Sequence, residues 1–128
     1  MSYYTRYSLR IQPFNVPNTP KDSPYVEFTP SVPHPRDIYE QLAEELIPYE
    51  DAYYGLTNNE RACWYEHEKD IATFSLKYPN HLFILTGQGE EDDDLWTKYF
   101  FNGRVQKEMA QILFGDFDPS KLTEPKEA

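Results

Sequence analysis

Prolines constrain the first quarter of this chain more than any other residue type. Seven of the eleven prolines lie between residues 13 and 35. Each proline fixes φ, removes a backbone donor and biases the residue before it toward an extended conformation. We therefore interpret 13–35 as a polyproline-like connection, which excludes a helix or a central strand there. Tyr25, Val26 and Phe28 are suited to anchor it as an ordered strap, and a disordered loop is the alternative.

Hydrophobic periodicity on both sides of this connection predicts regular elements. Apolar and polar residues alternate near the N-terminus, which is typical of a strand with one buried face, and we predict this strand at 3–12. Asp37 and Glu40 have the spacing of a capping box, and apolar residues then recur at helical spacing up to Pro48. This pattern predicts a first helix of about three turns.

A second capping-box spacing, between Thr57 and Glu60, predicts a second helix. Its apolar stripe follows the offsets of three and four that an amphipathic helix requires, and it consists of Trp64, His67, Ile71, Phe74 and Tyr78. Pro79 ends this helix, because a proline cannot continue the backbone hydrogen bonds. Residues 52–56, between the two predicted helices, are compatible with a short strand or with a packed turn.

The sequence from 81 to 114 is typical of β-structure. Three runs of apolar and aromatic residues predict three consecutive strands, the last over 104–114, and Asn102-Gly103 is a strong signal for a two-residue hairpin turn. Such a turn pairs Phe101 with Arg104, Phe100 with Val105, Lys98 with Lys107 and Trp96 with Met109. Because like charges directly opposite each other are destabilising, we expect either a bulge that shifts this register or an acidic side chain between Lys98 and Lys107.

The order of these elements indicates an α+β protein. We expect an antiparallel sheet of about four strands with two helices on one face, and a ferredoxin-like or split arrangement is the nearest named fold. The 128 residues suit a single domain over 1–128. Within it we distinguish the proline-rich connection at 13–35 and a polar tail at 116–128.

Charge is distributed unevenly along the chain. Twelve Lys and Arg against 22 Asp and Glu give a formal net charge of −10, although residues 1–36 are slightly basic. The acidic remainder argues against direct binding of nucleic acid, because such a surface repels a polyanion. No apolar run is long enough for a membrane span and the N-terminus lacks the pattern of a signal peptide, so we expect a cytoplasmic protein with no membrane partner.

Few residues occur in patterns that indicate catalysis or metal binding. Cys63 is the single cysteine, which excludes an intramolecular disulfide and a multi-thiolate zinc site. Cys63 and His67 have the spacing to share one side of a helix, where a packed core pair is favoured over a reactive thiolate. Glu90, Asp92 and Asp94 offer alternating oxygen ligands for calcium, but a solvated turn is the favoured interpretation. We therefore expect no catalytic residue, no metal, no cofactor and no enzymatic activity.

Several short motifs stand out over residues 64–122. They are Trp64-Tyr65-Glu66-His67-Glu68-Lys69-Asp70, Phe74-Ser75, Tyr78-Pro79, Leu82-Phe83, Gly87-Gln88-Gly89-Glu90-Glu91, Trp96, Tyr99-Phe100 and Asn102-Gly103. Together they resemble a pattern of small acidic bacteriophage and prophage proteins. The resemblance carries no catalytic residue, and it implies interference with a host defence system, as in an anti-CRISPR or anti-restriction inhibitor.

Acidic residues form rows on the first helix, on the second helix and in the turn at 90–94. Such rows can imitate the phosphate spacing of a nucleic acid and occupy the basic groove of a host nucleic-acid-processing protein, with electrostatically steered association. The contacts that we predict are Glu40, Glu44, Glu45, Glu66, Asp70, Glu90, Glu91, Asp92, Asp93 and Asp94. Carboxylates that serve only solubility are the alternative.

Two other function classes stay open. A small ligand-binding or enzymatic domain would use an aromatic pocket near His67, Trp64 and Trp96. A phage structural or assembly protein would self-associate. The sequence does not decide the oligomeric state, and a homodimer is compatible with it.

Overall fold

The structure is a computed structural model that describes residues 3–14 and 33–126. Within these residues, five strands and three helices follow one another along the chain. The strands are β1 (Thr5–Pro13), β2 (Arg61–Ala62), β3 (His81–Gln88), β4 (Leu95–Phe101) and β5 (Arg104–Met109), and the helices are α1 (Pro35–Leu46), α2 (Glu50–Thr57) and α3 (His67–Ser75). The predicted α+β class is confirmed, with one strand and one helix more than expected.

The strands form one antiparallel sheet in the order β2-β1-β3-β4-β5. This order differs from a ferredoxin-like sheet, because β3, β4 and β5 are consecutive neighbours and form a meander. The long β1–β3 ladder, from Arg6↔Gln88 to Pro13↔His81, joins the meander to the N-terminal strand. No helix among the described residues is long and apolar enough to cross a membrane.

The helices pack on one face of the sheet. Alternate residues of the central strands are buried there, among them Tyr7 of β1, Phe83 of β3 and Phe100 of β4. They form one cluster with the buried residues of the helices, which include Ile38, Leu42, Leu46, Leu56, Ile71 and Phe74. This apolar burial is the main source of stability, since it scales with the area removed from water.

The predicted hairpin between β4 and β5 is confirmed in its register. Phe101↔Arg104, Phe100↔Val105, Lys98↔Lys107 and Trp96↔Met109 are paired as expected. Asn102 and Gly103 have φ values of 50° and 82°, which are the positive angles that this two-residue turn requires. Because β4 begins at Leu95, the ladder ends with the hydrogen bond from Ala110 N to Leu95 O at 2.8 Å. β5 therefore stops before the predicted end at 114.

The two predicted helix starts are wrong. The first turn of α1 is capped by His34, whose Nδ1 accepts from Arg36 N at 3.1 Å. The Asp37 carboxylate is thus not the cap. Pro35 occupies the first turn, where its missing N–H costs nothing.

The second predicted start, at Thr57, is the end of α2. The following residues are drawn into the sheet, where β2 pairs Ala62 with Thr5 of β1, and this pairing uses backbone groups that a helix would need. α3 therefore begins only at His67. Residues 52–56, predicted as a strand or turn, lie inside α2. The predicted strap at 13–35 lies mostly outside the described residues, since 15–32 are not part of them.

Candidate functional site

A groove opens between α1 and α2 on one side and α3 on the other. It has a volume of about 930 Å³ and is called the helix groove below. Its apolar lining consists of Leu42, Leu46, Tyr49, Ala52, Trp64 and Phe74. Several of these side chains belong to the hydrophobic core, so the floor of the groove is the outer surface of the core.

Acidic side chains of all three helices surround this apolar floor. The charged lining consists of Glu45, Glu50, Asp51, Glu66, Asp70, Lys69 and Lys77. Five carboxylates thus face two ammonium groups, and one of these is already paired, because Lys77 Nζ lies 2.8 Å from Glu45 Oε1. The groove therefore combines an apolar floor with a rim of negative charge.

Local structure explains why acids collect at this position. Glu50 and Asp51 occupy the first turn of α2, and Asp70 lies in the first turn of α3. Carboxylates are favourable at helix N-termini because exposed N–H groups and the helix dipole attract negative charge. Among the described residues, Glu50, Asp51 and Glu66 make no side-chain hydrogen bond or ion pair. They are exposed and accessible to a partner.

Some predicted contact residues converge at the helix groove and others do not. Glu45, Glu66 and Asp70 line it. Glu40 and Glu44 are exposed on α1 but do not belong to its lining. The partner contacts predicted from the sequence do not include Glu50 and Asp51, because the first predicted helix ends at Pro48. Two adjacent acids just after a proline, at the start of an apolar run, are the signal that could have placed them on a helix.

Asp70 also has a structural role at the groove. Its Oδ2 accepts from Trp64 Nε1 at 2.8 Å, and Trp64 is almost completely buried. A buried indole N–H without a partner is costly. Asp70 therefore fixes the tryptophan that forms part of the floor.

The acidic turn at 90–94 joins β3 to β4 and is hydrogen-bonded to Tyr3 and Tyr4, just before β1. Asp94 Oδ2 accepts from the Tyr3 hydroxyl at 2.5 Å, and Glu90 Oε2 accepts from Tyr4 N at 2.9 Å. The hydrogen bond to Asp94 raises the pKa of the Tyr3 hydroxyl. Tyr3 N in turn donates to the Tyr65 hydroxyl at 2.7 Å. Since Tyr65 lines the helix groove, the turn and the groove are linked through these tyrosines.

A second cavity adjoins this link. It has a volume of about 410 Å³, and Tyr4, Glu50, Asp51, Arg61 and Tyr65 contribute to its lining. Glu50, Asp51 and Tyr65 line both cavities. The acidic residues at the start of α2 therefore lie where the two cavities meet.

His67 lies in a closed aromatic cluster beneath α3. Its ring stacks on Trp96 with a centroid distance of 5.2 Å and contacts Tyr7 at 5.3 Å. Its Nδ1 lies 2.7 Å from Trp64 O, and its Nε2 lies 2.7 Å from Lys98 Nζ. Because a carbonyl can only accept, Nδ1 carries the proton and Nε2 accepts from the ammonium. Burial lowers the pKa of His67, which agrees with a neutral ring.

Lys98 is the charged centre of this cluster. Its side chain is only 9% exposed, and its Nζ lies 3.0 Å from Glu68 Oε2 and 4.6 Å from the centroid of the Trp96 ring. The hydrogen bond from Lys98 lowers the pKa of Glu68, and the charge of Lys107 acts in the same direction. Glu68 is thus the acidic side chain expected between the two opposed lysines. No bulge is needed, since the predicted register is kept.

The aromatic residues expected near His67 are brought together but pack against one another. Neither of the two cavities described above is lined by His67, Trp96 or Lys98. Cys63 precedes α3 and lines the helix groove, so it does not share a helix face with His67. Among residues 3–14 and 33–126, no group of three or more His, Cys, Asp or Glu side chains is placed to hold a metal ion.

The fold and the groove define an α+β protein with an acidic, apolar-floored cleft between its helices. Comparison of the chain with protein-family models, with curated proteins and with solved structures finds no match.

Proposed function

We propose that this protein is a non-enzymatic acidic binding protein whose helix groove receives a basic segment of a partner protein. The observation that carries the proposal is the convergence of carboxylates from α1, α2 and α3 on one apolar floor. The partner that we propose is a host nucleic-acid-processing protein. Its basic surface would be occupied in place of nucleic acid, as in an anti-CRISPR or anti-restriction inhibitor.

The two components of the groove would serve different steps of binding. Carboxylates at the rim attract a basic surface over a distance and raise the association rate. The accessible apolar surface of the groove comes mainly from Tyr49 and Tyr65, which are 64% and 60% exposed, and it keeps the complex together after contact. A purely solvating surface needs only the first of these components. The exposed acids of the turn at 90–94 extend the negative charge beyond the groove.

Charge reversal at the groove tests the proposal. The protein is immobilised and used to capture proteins from bacterial lysate, and the captured proteins are eluted along a salt gradient. We expect Glu50→Lys/Asp51→Lys to abolish capture, because both side chains line both cavities. The matched control is Asp37→Lys/Glu40→Lys, which makes the same change of charge at two exposed residues of α1 that line neither cavity. It should retain capture.

Competition with nucleic acid tests the identity of the partner. A captured protein that is occupied at its nucleic-acid site should be displaced by double-stranded DNA or by RNA, and its binding should weaken steeply with salt. If the groove variant captures the same proteins as the control variant, the groove is not the site. If capture depends on the groove but nucleic acid does not compete, the groove is still the binding site, and the proposal that it imitates nucleic acid is refuted.

A further inference from the structure

The C-terminal part of the chain leaves the folded body and exposes apolar residues. Every residue from 110 to 126 is exposed, and within the described residues beyond Ala110 the hydrogen bonds are local ones around the 3-10 turn Pro119–Lys121. From here on, the tail denotes residues 111–126, which include most of the polar tail predicted at 116–128 and the residues that join it to β5. Its large apolar side chains are Ile112, Leu113, Phe114, Phe117 and Leu122, with exposed fractions of 59%, 85%, 90%, 77% and 68%. An exposed apolar surface of this extent marks an interaction site.

Within the residues that the structure describes, the strand that leads into the tail is itself an open edge of the sheet. All six residues of β5 are exposed, and β5 is the last strand of the sheet. In an antiparallel ladder, alternate residues direct their N–H and C=O groups toward each neighbour. Arg104 closes the hairpin with Phe101, and Ala110 donates to Leu95, so the even-numbered residues of β5 direct their backbone groups toward β4. The backbone groups of Val105, Lys107 and Met109 therefore point toward the free edge. Such an edge is a template for another strand.

We propose that β5 and the tail form the interface of a homodimer, in which the two β5 strands pair antiparallel and each tail lies on the other copy. The charges of β5 indicate that the partner is a second copy of this chain, because two antiparallel β5 strands can bring opposite charges together. A two-fold axis centred on Gln106 sets Arg104 opposite the partner's Glu108. The same pair occurs twice by symmetry. Centring the axis on Lys107 would instead oppose two lysines, which is unfavourable.

The two-fold axis also determines where the tail goes. Continuing past Met109, the tail of one copy runs along the other copy's turn at Asn102-Gly103. Exposed apolar side chains lie beside that turn. Leu76 is 57% exposed, and a Cβ added to Gly103 would lie 2.8 Å from Leu76 Cδ2. On the opposite face, Phe14 is 51% exposed and contacts the ring of Phe101 at 5.3 Å.

The exposed area is large enough for a stable dimer. The five apolar side chains of the tail expose on the order of 800 Å² per copy. If half of this surface is buried on each copy, together with an equal area that the tails cover, the total is about 1,600 Å², which is the usual total for a specific interface. The backbone hydrogen bonds of the paired edges add to this contact. The helix groove takes no part in it, so the dimer stands independently of the proposed function.

Oligomeric state measured by analytical ultracentrifugation tests the proposal. The chain has a mass of 15.2 kDa, and we expect twice this mass for the purified wild type at micromolar concentration. Arg104→Glu or Glu108→Arg alone opposes like charges at two places and should raise the dimer dissociation constant at least about tenfold. The double variant Arg104→Glu/Glu108→Arg restores opposite charges and should restore the dimer. Circular dichroism of each variant verifies that the fold is retained.

Each other outcome overturns part or all of the proposal. A wild type that is monomeric at about 100 μM, where even a dissociation constant of about 1 μM leaves most chains dimeric, refutes the homodimer and leaves a different protein as the occupant of the tail. A dimer that is insensitive to both single variants refutes the edge pairing. A dimer that is lost in the single variants and not restored in the double variant refutes the register centred on Gln106.

A second pair of variants tests the tail separately from the edge. Leu113→Asp/Phe114→Asp removes the two most exposed apolar side chains and should dissociate the dimer. Gln111→Asp/Thr123→Asp adds the same charge at polar positions of the tail and should leave the dimer intact. If both variants dissociate equally, charge in the tail and not its apolar surface is responsible, and the docking of the tail is refuted.

Discussion

Glu68 compensates the two lysines that the hairpin register places opposite each other. Lys98 and Lys107 are paired across β4 and β5, and the Glu68 carboxylate lies 3.0 Å from the Lys98 ammonium. Glu68→Gln keeps the shape of the side chain and removes its charge. We expect this substitution to destabilise the protein, because the amide oxygen of Gln can still accept from the Lys98 ammonium but carries no charge, so the buried ammonium loses its counter-charge and the repulsion from Lys107 is no longer offset.

The magnitude follows from burial. Replacing a hydrogen bond between two charged groups by one to a neutral amide costs roughly 1 kcal/mol, the difference between bonds worth about 1.5–3 and about 0.5–1.5 kcal/mol, whereas an exposed ion pair contributes about 0–1 kcal/mol. Lys98 is 9% exposed and Glu68 is 50% exposed, so an intermediate value applies. Uncompensated like charges on opposite strands add some tenths of a kcal/mol. We expect a loss of about 1 kcal/mol in the free energy of unfolding at pH 7.

Urea unfolding with a double-mutant cycle measures this effect. Lys107→Gln alone should be nearly neutral, and in the Glu68→Gln background it should recover about 0.5 kcal/mol by removing the repulsion. Because Lys98 lowers the pKa of Glu68, the advantage of the wild type is full at neutral pH and is lost as pH falls through that lowered pKa. A loss below about 0.5 kcal/mol at pH 7, or no coupling between Glu68 and Lys107, would refute the role given to Glu68.

Two further predictions concern pH and close packing. Burial lowers the pKa of His67 and of His81 below the usual 6.5, so stability is full above pH 6.5 and decreases as pH falls toward the lowered values, by at most about 1.4 kcal/mol per pH unit for each histidine. Urea unfolding between pH 7.5 and 5.5 should show this slope, and His67→Gln/His81→Gln should flatten it; an equal slope in the variant contradicts the assignment. Gly87→Ala should cost about 1–3 kcal/mol, since its Cβ would lie 2.1 Å from the Trp96 ring. Gly115→Ala, where a Cβ meets no atom within 4 Å, is the control and should be neutral in thermal unfolding; equal effects would show that Gly87 is not closely packed.

The sequence predicts those elements whose determinants are local. The turn at Asn102-Gly103 fixes the register of β4 and β5 because its geometry depends on two adjacent residues. The same holds for β1, where alternation specifies the buried face, since Thr5, Tyr7 and Ile11 are buried as expected.

Elements that depend on distant partners could not be predicted in this way. Arg61 and Ala62 form a strand only because β1 lies beside them, and local spacing around Thr57 favours a helix start instead. The helix groove has the same origin. Glu45 and Asp51 are close in sequence, but Asp70 reaches the groove through the packing of α3 on the sheet. Periodicity predicts which side of a helix is polar, and it does not predict which polar sides meet.

The carboxylates of this chain fall into two groups, and the difference determines which variants can test binding. One group is engaged in bonds that hold the fold together, and it includes Glu45, Glu68, Asp70, Glu90 and Asp94. Reversing the charge of these residues changes stability and surface potential at once, so a loss of binding would have two explanations. Glu50 and Asp51 make no such bond within the described residues, and they lie at the meeting point of both cavities. Charge reversal there costs only the helix-dipole contribution of about 0.3–1 kcal/mol per residue, so a loss of binding in Glu50→Lys/Asp51→Lys with the fold retained has one explanation, which is that the partner recognises the charge of the groove.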